Sequence, residues 1–171
     1  EIFFEHGIEW VIETGSRHGG SALFFADLLR NAGSEGRVFS IDYQPALDPR
    51  VMNDPKISFI TGDSADPTIV RHVMQAIPSN KKRFLILDSD HSAAHVRREL
   101  DIWVPLLRTG DYLLVEDTVV NGHPVRPEHG PGPMEAIQAY LKDNPDQLKH
   151  DLAREQKFGA TFAVNGYFIK L

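Results

Sequence analysis

Seven carboxylates stand at the ends of short apolar runs: Glu13, Asp42, Asp63, Asp88, Asp90, Glu116 and Asp117. Each run reads as a buried strand, and the ends of strands are where open α/β sheets bind their ligands. Asp88, Glu116 and Asp117 come from two such ends and offer three hard oxygen ligands. That donor set suits magnesium, or calcium or manganese in its place. With no cation between them, such carboxylates would repel and raise their own pKa values. A hydrogen-bonded acidic pocket without metal is the competing reading.

His91 follows Asp88 by three positions. As a neutral imidazole it is placed to accept a proton from a substrate hydroxyl; the alternative is a helix-capping or structural histidine. His95 lies four positions further on, a spacing that can put both rings on one side of a helix. No glutamate pattern of the H-E-x-x-H kind accompanies the pair, and His95 reads as structural. His123 and His129 fall in a loop and are candidates for lining a substrate pocket. His6, His72 and His150 read as surface positions.

The stretch Glu13-Thr14-Gly15-Ser16-Arg17-His18-Gly19-Gly20-Ser21 lies between a strand and a helix. Glycines let the backbone approach a ligand closely, and a helix start offers N–H groups. The order is G-x-x-x-G-G, not the G-x-G-x-x-G of dinucleotide sites. An acid just before the first glycine sits badly beside a pyrophosphate. It suits a ligand carrying an ammonium and a sulfonium, such as S-adenosylmethionine (SAM). Asp42, ending the second strand, is placed to accept from ribose hydroxyls. A tight turn with no ligand is the plainer alternative.

The elements that must position these residues follow from periodicity. Strands are expected at Trp10–Glu13, Val38–Asp42, Ile57–Ile60, Phe84–Leu87 and Tyr112–Val115. Helices are expected from Ser21 to Arg30, from Pro67 to Ala76, after a Ser92 cap through Trp103, and from Met134 to Leu141. The segment from Val119 to Pro133 holds four prolines and three glycines and must be a loop. Phe158–Val164 and Tyr167–Leu171 read as two strands of a hairpin turned by Asn165-Gly166. Strands alternating with helices imply a mostly parallel sheet covered on both faces, here with an antiparallel C-terminal hairpin.

The chain of 171 residues suits one domain, 1–171, with no internal repeat or linker. It opens at Glu1 inside a helical pattern, so a missing or disordered N-terminal segment is expected before it. No cysteine is present, which excludes disulfides and Cys-ligated metals and fits a cytoplasmic location. A net charge of −6 argues against nucleic-acid binding. No run approaches the roughly 20 apolar residues of a membrane span. The edge strand of the terminal hairpin could pair between copies, giving a homo-oligomer.

These motifs together resemble the cephalosporin hydroxylase family. The resemblance rests on Glu13 to Ala22, Leu87-Asp88-Ser89-Asp90-His91-Ser92, Val115-Glu116-Asp117-Thr118, Asn121-Gly122-His123-Pro124-Val125 and Gly130-Pro131-Gly132-Pro133, and covers about residues 9 to 141. It implies a Rossmann-like class I methyltransferase fold with a seven-stranded sheet. The family includes proteins linked to cephamycin methoxylation and to O-methylation of rhamnose. The implied cofactor set is Glu13, Thr14, Gly15, Ser16, His18, Gly19, Ser21, Asp42, Asp63, Ser64, Asp88 and Asp90. The site is also similar to that of metal-dependent catechol-type O-methyltransferases, which implies Asp88, Glu116 and Asp117 as ligands. Those enzymes carry a basic lysine where His91 stands here.

The expected activity is SAM-dependent, divalent-metal-assisted O-methylation of a small hydroxylated molecule. The cation would acidify the attacking hydroxyl, His91 or water would take its proton, and alignment of oxygen, methyl and sulfur would supply most of the rate. The proline- and glycine-rich loop would close over the acceptor. Three other classes compete. A nicotinamide-dependent oxidoreductase could use Asp42 on ribose, but the glycine pattern opposes it. An oxygenase in the sense of the family name would want two histidines and a carboxylate around iron. A non-catalytic SAM-binding protein would have no use for a metal triad.

Overall fold

The structure, a computed structural model, describes residues 1–171. They form two compact units, Glu1–Ser89 and Asp90–Leu171. In the first, β1 (Trp10–Thr14), β2 (Val38–Asp42), β3 (Ile57–Thr61) and β4 (Arg83–Leu87) run parallel. Val11 stands opposite Val38 on one side and Phe84 on the other. The runs are near-continuous in apolar residues because both faces are covered. Val11, Ile12, Ile41 and Leu85 are fully buried, each contributing roughly 1.5–3 kcal/mol.

Parallel neighbours require crossovers. These are α2 (Gly20–Asn31), α3 (Pro49–Met52) and α4 (Pro67–Ala76). Pro67 occupies the first turn of α4, and the Asp66 carboxylate caps it by accepting from the Thr68 amide at 2.6 Å. The short α1 (Ile2–Glu5) buries Phe3, which stacks on Phe25 and meets Phe84 edge-on. Because β1 has β2 on one side and β4 on the other, the crevice outside the ends of β1 and β4 is a topological switch point.

The second unit holds α5 (Ala93–Trp103), a 3-10 turn at Val104–Leu106, β5 (Tyr112–Val115), α6 (Pro133–Asp143), β6 (Leu148–His150), α7 (Leu152–Glu155) and β7 (Tyr167–Lys170). Helix α5 packs on α6, burying Trp103 and Tyr140. Arg97 ties the pair together, reaching Asp101 and Asp143 and lying over the Tyr140 ring. The sheet has seven strands in the order β3-β2-β1-β4-β5-β7-β6. That is the mostly parallel α/β architecture with an antiparallel end that the sequence implies.

One expectation is corrected. The hairpin over Phe158–Val164 and Tyr167–Leu171 does not form. Only its second half is a strand, and that strand pairs antiparallel with β5 on one edge and β6 on the other. A strand has two edges, so none is left for residues 158–164. Phe158 and Phe162 there are exposed, not alternating inward. The Asn165-Gly166 turn does exist, with Asn165 at φ 55° and the Gly166 amide bonded to Ala163 O. Its task is to press the chain onto β5: Gly166 O accepts from the Val115 amide, and a Cβ at Gly166 would meet Val115 O at 2.3 Å.

Candidate functional site

The first unit presents the glycine turn at the switch point. Gly15 takes φ 89° and its amide donates to Ile41 O at 2.7 Å. A Cβ here would lie 2.0 Å from Asp88 O, so only glycine lets β1 turn against the end of β4. Thr14 is buried, and its hydroxyl accepts from the Asp88 amide at 3.3 Å. Gly19, at φ 79°, is the N-cap of α2. His18 ties the turn to the segment after β2 through Ala46 O at 2.9 Å, seconded by the Ala46 amide on Arg17 O.

Two carboxylates are held in contrasting ways. Glu13 is only 2% exposed. Ser40 donates to its Oε2 at 2.5 Å, and the Ser16 and Ser40 hydroxyls lie 2.6 Å apart. Burial pushes the Glu13 carboxyl up to about 7; hydrogen bonds from Ser21 and Ser40 oppose this, while Asp88 and Asp42 add to it. Asp42 is held by main chain instead, Oδ2 accepting from the Arg17 amide and Oδ1 from the Gln44 amide, both at 2.8 Å. Asp63 accepts from the Ala65 amide at 2.9 Å, forming the turn that leads to α4, with Ser64 buried beside it. Asp42 thus ends β2, Glu13 stands one residue before the end of β1, Asp88 follows β4 directly and Asp63 lies just beyond β3.

The second unit holds the other candidates. Asp90 accepts from the Ser92 amide at 2.8 Å, and that bond lowers its pKa. His91 Nδ1 lies 3.4 Å from Asp117 Oδ2. Asp117 has the left-handed φ of 51°, uncommon for a residue with a side chain. Glu116 is half-buried just past β5. His95 sits 3.4 Å from the fully buried Glu99 within α5, which fits its structural reading. His123 Nε2 lies 2.7 Å from Glu135 Oε1, and His129 Nδ1 3.3 Å from Gly130 O.

His72 is exposed as expected, whereas His6 is half-buried. His150 is not a simple surface residue either. It pairs with Glu155 at 2.7 Å and lies against the Phe168 ring, its register partner on β7. Two residues fall outside the sequence candidates. Ser40 is a hydroxyl within the otherwise apolar run Val38–Ile41, a signal that it serves a buried partner. Glu135 stands three residues after Gly132, the capping-box position of α6, and its carboxylate accepts from the Gly132 amide at 2.7 Å.

Sheet order, glycine turn and acids at the strand ends define a class I methyltransferase fold. Comparison with known proteins agrees. A structure of CmcI with magnesium and SAM shares this fold, with a TM-score of 0.71 at 21% identity over 99% of this chain and 68% of that one. The MycE methyltransferase of mycinamycin biosynthesis, solved with magnesium, S-adenosylhomocysteine (SAH) and mycinamycin VI, gives 0.63 at 18% identity over 85% and 43%. The chain is an enzyme of the O-methyltransferase class.

More particularly, it belongs to the rhamnosyl O-methyltransferase/CmcI family, whose model matches residues 1–171. It is 46% identical to the rhamnosyl O-methyltransferase of Mycobacterium bovis, over 99% of this chain and 70% of that protein. Against the Mycobacterium leprae enzyme of the same name the identity is 48%, over 99% and 75%.

Proposed function

We propose that this chain methylates a hydroxyl of a sugar, a rhamnosyl group or one like it, using SAM and a divalent cation. The observation that carries the reading is the acid set around the glycine turn: a buried Glu13 beside Gly15 and a main-chain-held Asp42 one strand away. A ligand with a positively charged methionine end and a ribose fits that set. A dinucleotide's pyrophosphate does not. Relatives named for O-methyl transfer leave the nicotinamide and oxygenase alternatives without support.

Asp42 would accept from the ribose hydroxyls, its orientation fixed by two backbone amides that no side-chain rotation can remove. Glu13, Thr14, Gly15, Ser16, His18, Gly19 and Ser21 would line the methionine and ribose side, with Asp63, Ser64, Asp88 and Asp90 around them. The donor set of Asp88, Glu116 and Asp117 fits a hard cation, and the left-handed backbone at Asp117 presents adjacent carboxylates from one turn. When bound, such a cation lowers the pKa of a hydroxyl it holds. His91 Nδ1 lies 3.4 Å from Asp117 Oδ2, and its imidazole would receive the acceptor's proton. Bound SAM would supply the methyl group, which would pass from its sulfur to the acceptor oxygen and leave SAH as the second product.

The test is direct assay of the purified protein with SAM, magnesium and rhamnosyl-bearing acceptors, reading SAH formation and the mass of the product. A gain of one methyl group on the sugar is the expected result. SAM binding with methylation of non-sugar hydroxyls alone would overturn the acceptor assignment. NAD binding in place of SAM would overturn the reading as a whole.

A further inference from the structure

We propose that Glu135 is a positioning residue that sets the shape of the loop between β5 and α6. The inference rests on the reading that this loop encloses the acceptor. Both ends of the loop meet on one carboxylate. From its near end, Asn121 donates to Glu135 Oε1 at 3.0 Å, and His123 Nε2 lies 2.7 Å from the same oxygen. From its far end, the Gly132 amide donates to Oε2 at 2.7 Å. Burial alone would raise the Glu135 pKa; the bonds from His123, Gly132 and Asn121 outweigh it and take the carboxyl down to about 2. The carboxylate is therefore ionised and engaged with the loop.

Between these anchors the chain is folded back on itself. Asn121 and Gly122 both take positive φ, and their amides donate to Arg126 O and Val125 O at 3.1 and 2.8 Å. The tip, from Pro124 to Glu128, is exposed. The far anchor also reaches the segment that carries His91. Pro131 O accepts from the Ala93 amide at 2.9 Å, and a Cβ at Gly132 would stand 2.9 Å from Val120 Cγ2 and 3.4 Å from His91 O. Gly132 is thus packed against the loop's start and the His91 main chain at once. Releasing Glu135 frees both loop ends and loosens the packing behind His91. His123, read from the sequence as a pocket-lining residue, is here part of the clasp.

The experiment compares wild type with Glu135→Ala and Glu135→Gln. Hydrogen exchange of peptides spanning 119–132, SAM affinity by calorimetry, acceptor KM, kcat and Tm are measured on each. Glu135→Ala is expected to speed exchange across 119–132 and to raise acceptor KM by about tenfold or more, with SAM affinity within about twofold of wild type. Glu135→Gln keeps one acceptor oxygen and is expected to fall between. Wild-type exchange across the loop in Glu135→Ala would overturn the proposal. So would a lowered Tm with unchanged acceptor KM, which would reduce Glu135 to a helix cap. The exchange measurement needs no acceptor. If wild type methylates no sugar, the acceptor reading fails and the clasp is still decided by exchange alone.

Discussion

Glu13 is the residue whose chemistry is most altered by its surroundings. Its carboxyl has an ordinary value of 4.5 and is raised to about 7 by burial. The folded state therefore prefers the protonated form, and the sign follows. Below about pH 4.5 both folded and unfolded chains hold the proton and nothing is lost. As pH rises toward 7 the unfolded chain releases its proton first, so stability falls across that window and stays lower above it. The span corresponds to roughly 3 kcal/mol. Glu13→Gln removes the titration while keeping an oxygen for the Ser40 hydroxyl. Thermal melts from pH 4 to 8 should show wild type losing Tm over this window relative to the variant. Parallel melting curves would mean that Glu13 titrates alike in the folded and unfolded chains.

At the scale of elements, the two glycines that flank the turn into α2 make opposite predictions. Gly15 has φ 89° and no room for a Cβ, whereas Gly20 is helical with nothing within 4 Å of one. Gly15→Ala should destabilise by about 2–4 kcal/mol and weaken SAM binding. Gly20→Ala should be neutral or stabilise by up to about 1 kcal/mol. Urea denaturation of both variants measures the contrast, and equal effects would refute the role given to Gly15. Elements of this kind were legible because their signals are local. Periodic apolar runs, Pro67 in the first turn of α4 and the Ser92 cap each specify structure within a few residues. The hairpin misled because Asn165-Gly166 states that the chain turns, not which strand it then meets. It meets β5 and β6, and β6, Leu148–His150, is too short to show a period. The Glu135 clasp was illegible for the same reason: Asn121 and Glu135 meet only once the loop is folded.

Across the whole molecule, the candidate residues divide by task. The first unit carries Glu13, Ser16, His18, Asp42 and Asp63, the proposed SAM-holding set. The second carries His91, Glu116, Asp117 and the β5–α6 loop, the proposed acceptor and proton-handling set. No helix is long and apolar enough to cross a membrane. The division predicts that binding and turnover separate. Asp42→Ala should weaken SAM binding about tenfold or more, since a carboxylate accepting from ribose hydroxyls contributes charge-assisted hydrogen bonds. Asp117→Asn should leave SAM affinity near wild type while lowering kcat by ~10²-fold or more, because it removes both a proposed cation ligand and the partner of His91. Chelation of divalent cations should act like Asp117→Asn in wild type and add little in that variant. Calorimetry with SAM and turnover with and without chelator give both readings. Full turnover in the chelated wild-type enzyme would remove the cation from the scheme and leave His91, oriented by Asp117, as the group that must take the proton unaided.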